Sequence, residues 1–408
     1  MLKKDLFYYI LSKVLPLGLG IMFVPIVLNF LSVEEYGEYY TYNQYFVLIN
    51  LIILSTTFYL QNNILEDEEI IYKVQYFTII LSVVVSIITH TFVFFLLGFE
   101  NKNLLILITV ALIFMGIYQN KMIILNVTGL SKVYFIGQLL FSFFKLVFVF
   151  LLMKVFFASS NMIFIGIILS LLVSILFLEK SNKTFNISFF FYDLNLFKKI
   201  FSFGFFVSFI VSIDIVLNFI NITLANRYLS TTLLGVYTGW FSVFALIISM
   251  FTSIIYLPFI SKIYNAKREN PLQLSKYFRK LYIYTLIINI VVIIFIMTFG
   301  SRIFNYFVPE SYIEYLFPCI ILIIGFSINS IIKIEVLKMQ VINKVNIRTF
   351  IIFVVSIIIY SFGSLFFMKN DSLEVLIWQS VIGYIIFYLV LYLINNVAGK
   401  RMEKIDEH

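Results

Sequence analysis

One cysteine, two histidines and six prolines occur among 408 residues, and only 12% of the chain is charged. Each scarcity excludes a class of protein. Cys319 has no second thiol, so it forms neither an internal disulfide nor a metal cluster. His90 lies in an apolar run and His408 at the C-terminus, so neither is expected to have a partner. No glycine loop of the phosphate-cradling kind is present, which argues against nucleotide hydrolysis. A charged share about half that of soluble domains cannot cover a water-soluble fold of this size. What is there instead is apolar: 62% hydrophobic residues, 49 Phe, 27 Tyr and a mean hydropathy of +1.03. These values predict an all-α integral membrane protein that crosses the bilayer many times.

Twelve apolar runs lie near 7–30, 39–60, 75–98, 103–120, 134–153, 161–178, 201–222, 235–257, 281–299, 315–332, 349–368 and 374–395. Spans of roughly 20 residues leave no room for a soluble domain. The first run follows Lys3 and Lys4 as a signal peptide would, but it is too long, lacks a small-residue cleavage site and reads as a retained helix. Of the 29 Lys and Arg, 22 lie on the N-terminal side of the predicted topology, 5 on the other, and Lys13 and Lys145 inside spans. This bias predicts cytoplasmic N- and C-termini. It also accounts for the net charge of +8 as topology, so no nucleic-acid partner is expected. The organisation predicted is a six-helix bundle over 1–178, a linker with an interfacial helix as one reading over 179–200, a second bundle over 201–396 and a cytoplasmic tail over 397–408. The acidic run Glu66 to Glu69 reads as a solvated turn, not a metal site.

The two bundles read as copies. Leu31-Ser32-Val33-Glu34-Glu35-Tyr36-Gly37-Glu38-Tyr39 and Leu229-Ser230-Thr231-Thr232-Leu233-Leu234-Gly235-Val236-Tyr237 share the pattern L-S-x-x-x-x-G-x-Y, each after the first span of its half. Lys121, Lys132 and Val133 are echoed by Lys333, Lys344 and Val345. Six spans per half is an even number, so the copies face the same way and are related by an axis along the membrane normal. That architecture serves alternating access. The motif itself reads as a helix start, with acids or hydroxyls at the positive end and a glycine for close approach.

LSVEEYGEYY, following a first span with Pro16 and Pro25, resembles the signature of the multidrug/oligosaccharidyl-lipid/polysaccharide (MOP) exporter superfamily. Within it the chain is most similar to the polysaccharide-transport branch, the Wzx-type O-antigen flippases. The resemblance implies a non-enzymatic flippase of the bacterial inner membrane, without cofactor. Its substrate would be an undecaprenyl-pyrophosphate-linked oligosaccharide, an O-antigen or capsule repeat unit, moved from the cytoplasmic to the outer leaflet. Membrane lipids and a glycan polymerase or ligase are the further partners implied. Relatives often carry an acidic–basic pair near the end of span 7, where this chain has Asn221-Ile222-Thr223, with Asp214 two turns earlier.

Such a substrate asks for cations facing a wet cavity and for hydrogen-bonding groups along it. Lys145 lies about 11 residues, roughly 16 Å, into span 5. Gln138, Ser142 and Lys145 share one face at i, i+4 and i+7. Lys13 is the second cation, shallow enough to snorkel to headgroups as well. Asn43 and Asn50 in span 2 suit sugar hydroxyls, or bonds between helices. Asp214, Asn218 and Asn221 form another i, i+4, i+7 face in span 7. Asp214 reads as the only carboxylate clearly inside a span, suited to ion coupling or to a gate opposite Lys145. A cation-coupled drug or metabolite antiporter of the same fold is the second reading. A membrane glycan polymerase is the third, and it lacks the external loop such chemistry uses.

Overall fold

The computed structural model describes residues 2–63, 69–97, 102–128, 130–181, 198–269, 271–341, 347–367 and 372–403. The first half contains α1 (Leu2–Phe30), α2 (Val33–Asn63), α3 (Glu69–Leu97), α4 (Lys102–Val127), α5 (Ser131–Val155) and α6 (Ser160–Ser181). A wide, π-type turn at Ile200–Phe205 runs into α7 (Phe206–Val211), followed by α8 (Ile213–Tyr228). The remainder is α9 (Thr231–Glu269), α10 (Pro271–Phe304), the short α11 (Glu310–Ile313) and α12 (Leu316–Cys319), then α13 (Ile321–Val341), α14 (Ile347–Phe367) and α15 (Leu373–Glu403). Among the described residues, ten helices are long and apolar enough to cross a membrane, and Thr349–Leu365 is a shorter apolar one. The seventh predicted span is the remaining one, and it is interrupted at Ser212. The chain is an all-α, multi-pass membrane protein.

The repeated L-S motif acts at a helix start, through its serine. Ser32 Oγ accepts the Glu35 N–H at 3.2 Å, and the Ser32 N–H donates to Glu35 Oε2 at 2.9 Å. This is a reciprocal capping box that satisfies amides the first turn of α2 leaves open. Ser230 Oγ accepts the Leu233 N–H at the start of α9. Glu35, one of the two acids of the first turn of α2, is thus itself part of the cap.

Two compact units result, Met1–Ser212 and Ile213–His408. In the first, α1 lies on α5, α5 on α6, α6 on α4, α4 on α2, and α3 on both α2 and α4. In the second, α8 lies on α14, α14 on α15, α15 on α13, α13 on α9, and α10 on both α9 and α13. The principal neighbours correspond once α8, α9, α10, α13, α14 and α15 are matched to α1 through α6. Each copy is also joined by a polar bridge between its fourth and sixth spans. Lys121 of α4 pairs with Glu179 of α6, and Asn395 of α15 donates to Glu335 of α13. Internal duplication is thus visible in the packing as well as in the motif.

Three elements differ from the sequence expectation. The basic connection expected at 258–280 is helical: α9 continues to Glu269 and α10 starts at Pro271. Ile263, Phe278 and Leu281 pack there on Ile334, Leu337 and Val341, so an apolar seam carries the helices past the hydrocarbon. For the same reason Lys121, Lys333 and Lys338 lie within helices and not in loops. The outer connection near 300–314 is folded onto α9, where Trp240 donates to the Tyr312 carbonyl at 2.8 Å. The interfacial helix considered for 185–199 falls almost wholly outside the described residues.

The unit boundary does not fall at the linker. Residues 200–211 pack against α2 in the first unit. Gly204 makes this possible, because a Cβ there would stand 2.1 Å from the Ser55 carbonyl oxygen. Gly18, also in the first unit, has no neighbour within 4 Å. Gly204→Ala should therefore cost about 1–3 kcal/mol through overpacking. Gly18→Ala should be neutral or stabilising by up to about 1 kcal/mol. Thermal melting of both variants in detergent measures the difference.

Candidate functional site

In the first unit the two candidate cations fall on one seam. Lys145 of α5 sits over the Phe23 ring of α1, 4.3 Å from its centroid. Lys13 of α1 sits 5.8 Å from the centroid of Tyr134 of α5. The lysines lie at different depths, since Lys13 and Phe23 are ten residues, or about 15 Å, apart along α1. Among the described residues neither has a carboxylate partner. Ring quadrupoles are what stabilise them, by an amount that grows as water is excluded.

The direction of the polar stripe follows from the helical wheel. Gln138, Ser142 and Lys145 are partly accessible, while Ser131, Tyr134, Val149 and Met153 on the same face are buried. The strongly exposed Phe143 and Leu151 each lie about 140° away from the middle of that stripe. The lipid-type face is thus the phenylalanine and leucine side. Lys145 occupies a partly open stretch of an otherwise packed face. On α2, Asn43 and Asn50 also belong to a partly open stripe, with Val47, Leu54 and Phe58, on a helix otherwise largely buried. Asn50 Oδ1 is buried without a hydrogen-bond partner. No bond joins either asparagine to the lysines.

In the second unit the three predicted polar residues of α8 point to three different partners. Asp214 Oδ2 is 3.5 Å from Lys333 Nζ of α13. Asn218 Oδ1 accepts the Tyr384 hydroxyl of α15 at 2.6 Å. Asn221 Oδ1 accepts the Tyr360 hydroxyl of α14 at 2.5 Å, and that oxygen is also 3.2 Å from the Gln379 carbonyl. The Asp214 carboxylate also accepts the Ile215 N–H, immediately after the break at Ser212. A helix start favours an anion there. The cation Asp214 meets is one the sequence alone places in a connecting loop. Asn221, in a glycosylation-like Asn-Ile-Thr, is 1% exposed.

Close approach holds this network together. A Cβ at Gly383 would lie 2.8 Å from the Tyr360 ring, so the glycine lets α15 and α14 meet where Tyr360 reaches α8. Beside it, the buried side-chain amide of Gln379 meets the Tyr360 hydroxyl. The cluster therefore comprises one carboxylate with its lysine, two asparagine amides, two phenols and one glutamine amide.

Two groups were not legible in sequence. His90 is bonded by three partners: Tyr45 Oη at 3.0 Å from Nδ1, and Thr109 Oγ1 and the Leu105 carbonyl at 2.6 and 2.8 Å from Nε2. It joins α2, α3 and α4, so the expectation of a partnerless histidine is corrected. Its partners lie 15 to 45 residues away, which no local pattern reveals. Glu335 is the second, a carboxylate 3% exposed inside α13. Asp214 is not the only acid within a span. The available signal was Glu335 flanked by apolar Ile334, Val336 and Leu337.

Comparison with solved structures shows the fold. An inward-facing multidrug resistance MATE family transporter of the MOP superfamily superposes with a TM-score of 0.69 at 15% identity, covering 97% of this chain and 99% of that one. Its outward-facing conformation gives 0.64 at 14% identity, covering 97% and 95%. The lipid II flippase MurJ in an inward closed conformation gives 0.72 at 14% identity, covering 95% and 86%. No family profile matches the chain, and no curated protein matches it. The chain shares its fold with these solved structures.

Tyr360→Phe tests the network of the second unit. Removing the hydroxyl leaves Asn221 Oδ1 buried without its donor and should cost about 1–3 kcal/mol. A lowered thermal midpoint in detergent, with Tyr392→Phe on the exposed side of α15 as control, is the expected result.

Proposed function

We propose that the protein is a flippase for a lipid-linked, anionic oligosaccharide, working by alternating access between its two six-span halves. The observation that carries this reading is the pair of lysines on the α1–α5 seam, without carboxylate partners among the described residues. They belong to a chain that shares its fold with a solved lipid II flippase. A cation in a low-dielectric span is costly unless it faces water or an anion. A pyrophosphate supplies that anion, and the guiding polar stripe of Gln138 and Ser142 continues along the same face. Asn43 and Asn50 then serve the sugar hydroxyls. Within the reading, the carrier is undecaprenyl pyrophosphate and the membrane is the bacterial inner membrane, with both termini cytoplasmic. Asp214, Asn218 and Asn221 provide the ion-coupling site of the second half, with Lys333 as the competing internal cation. An antiporter for organic cations is the alternative, supported by the fold likeness to MATE transporters.

The first expected outcome concerns Lys145. Lys145→Ala should lower surface glycan export at least about tenfold, a loss of about 1.4 kcal/mol or more in effective substrate binding. Lys145→Arg should retain part of it, because charge is kept while geometry changes. Export at the parental level in Lys145→Ala, with normal protein amount, refutes the role. The second concerns Asp214: Asp214→Asn should remove dependence on the ion gradient in vesicles while leaving the fold intact. Deletion of the gene with analysis of lipid-linked glycans tests the function itself. A species accumulating on the cytoplasmic side supports a flippase, and unchanged lipid-linked glycans with altered drug sensitivity support the antiporter.

A further inference from the structure

Where α9 passes into α10, positive charge is left unbalanced. Residues 258–280 hold six bases, Lys262, Lys267, Arg268, Lys276, Arg279 and Lys280, and Glu269 is the one acid between Thr231 and Phe304. Lys262, Lys276, Arg279 and Lys280 are exposed, and none has a carboxylate partner among the described residues.

Three of these bases share a face of α10 with an apolar stripe. At roughly 100° per residue, Lys276, Arg279 and Lys280 fall within about 60° of the line through Ile283, Ile287, Ile290 and Ile294. Those isoleucines are exposed, while Phe278, Leu281, Thr285 and Asn289 on the opposite face are buried. No charged residue lies between Lys280 and Arg302. That stretch is about 33 Å long, close to a hydrocarbon core of roughly 30 Å. Lys280 therefore stands at the headgroup boundary, and the apolar face runs from it along the acyl chains.

The second wall comes from α9. Lys262 lies over the Phe259 ring, 5.7 Å from its centroid, and that ring meets the exposed Tyr284 of α10 edge-on, with centroids 5.9 Å apart. Tyr284 is one turn beyond Lys280 on the same helix. Cations from two helices thus flank one aromatic pair at the depth of the lipid phosphates. Aromatic rings favour that boundary, and lysine stems lie along apolar surface there with the ammonium in the headgroups.

We propose that this face of α9 and α10 binds an anionic phospholipid of the leaflet that the lysine count puts on the cytoplasmic side. Lys262 and Lys280 hold the phosphodiester, Lys276 and Arg279 supply the surrounding positive field, and the acyl chains lie along Ile283, Ile287 and Ile290. Basic groups just outside a span attract anionic lipid in this way. A free anion would use the charges and leave the adjoining apolar stripe unused, whereas a phospholipid uses both. The site takes a resident membrane lipid and does not depend on the transported substrate.

The test uses the full-length protein in phosphatidylcholine vesicles containing a small fixed fraction of brominated lipid. Tyr284→Trp places a fluorophore at the site, in a Trp378→Phe background because Trp378 is exposed and Trp240 is buried. Brominated phosphatidylglycerol should quench it with a local enrichment at least about threefold over brominated phosphatidylcholine. Lys262→Gln with Lys280→Gln should make the two lipids equivalent, and Lys262→Arg with Lys280→Arg should keep the preference. Ile359→Trp, at an exposed position of α14, should show no preference. Inorganic phosphate added at constant ionic strength should leave the enrichment in place. Equal quenching by the two lipids at position 284 overturns the proposal, as does enrichment that survives the double glutamine variant. Equal enrichment at position 359 makes the effect a diffuse surface attraction, and displacement by inorganic phosphate makes the site one for a free anion; either also overturns it. No glycan enters the measurement, so its failure and that of the substrate reading are separate results.

Discussion

Hydrocarbon offers polar groups no water, so every one inside a span must find its partner in the protein. This constraint organises both units. In the first, Thr57, Thr78 and Asn120 bond one another between α2, α3 and α4, and His90 ties the same helices together elsewhere along them. In the second, Tyr360, Tyr384 and Tyr237 reach Asn221, Asn218 and Ser380. Most of these contacts link helices distant in sequence. They fix which helix faces which, while apolar side chains are free to face either lipid or protein.

Against that background the two exceptions gain meaning. Lys13 and Lys145 have aromatic rings in place of carboxylates, and Asn50 keeps its buried Oδ1 unpaired. Charge and hydrogen-bonding capacity left over after the fold is satisfied are what a transporter can offer its cargo or its coupling ion. Lys13 and Lys145 lie in the first unit, whereas the acids Asp214 and Glu335 of the second are met by Lys333 and Asn395. The fold is common to both, so the difference lies in side chains and not in architecture.

Much of this was readable in the chain. The apolar runs mark the spans because a helix needs roughly 20 such residues whatever its neighbours. The L-S motif marks helix starts, and its recurrence marks duplication. The stripes at Gln138, Ser142, Lys145 and at Asp214, Asn218, Asn221 follow from helical periodicity alone. Partners were not readable. Lys333 looks like a loop residue because hydropathy falls at Lys333 and Lys338, yet the helix persists on an apolar seam to α9 and α10. Glu335 was hidden by the same fall. The interruption at Ser212 has no proline or glycine beside it and shows only in the backbone.

That interruption separates two ways of dividing the molecule. By descent, the second copy begins where its first span begins, near residue 200. By packing, Ile200 through Val211 lie on α2 of the other copy and are admitted by Gly204. One repeat has in effect lent an arm to its twin, as protomers do in an exchanged dimer. An ancestral single-copy protein with this arm would have had every reason to assemble in pairs, and fusion of the genes would have made the loan permanent.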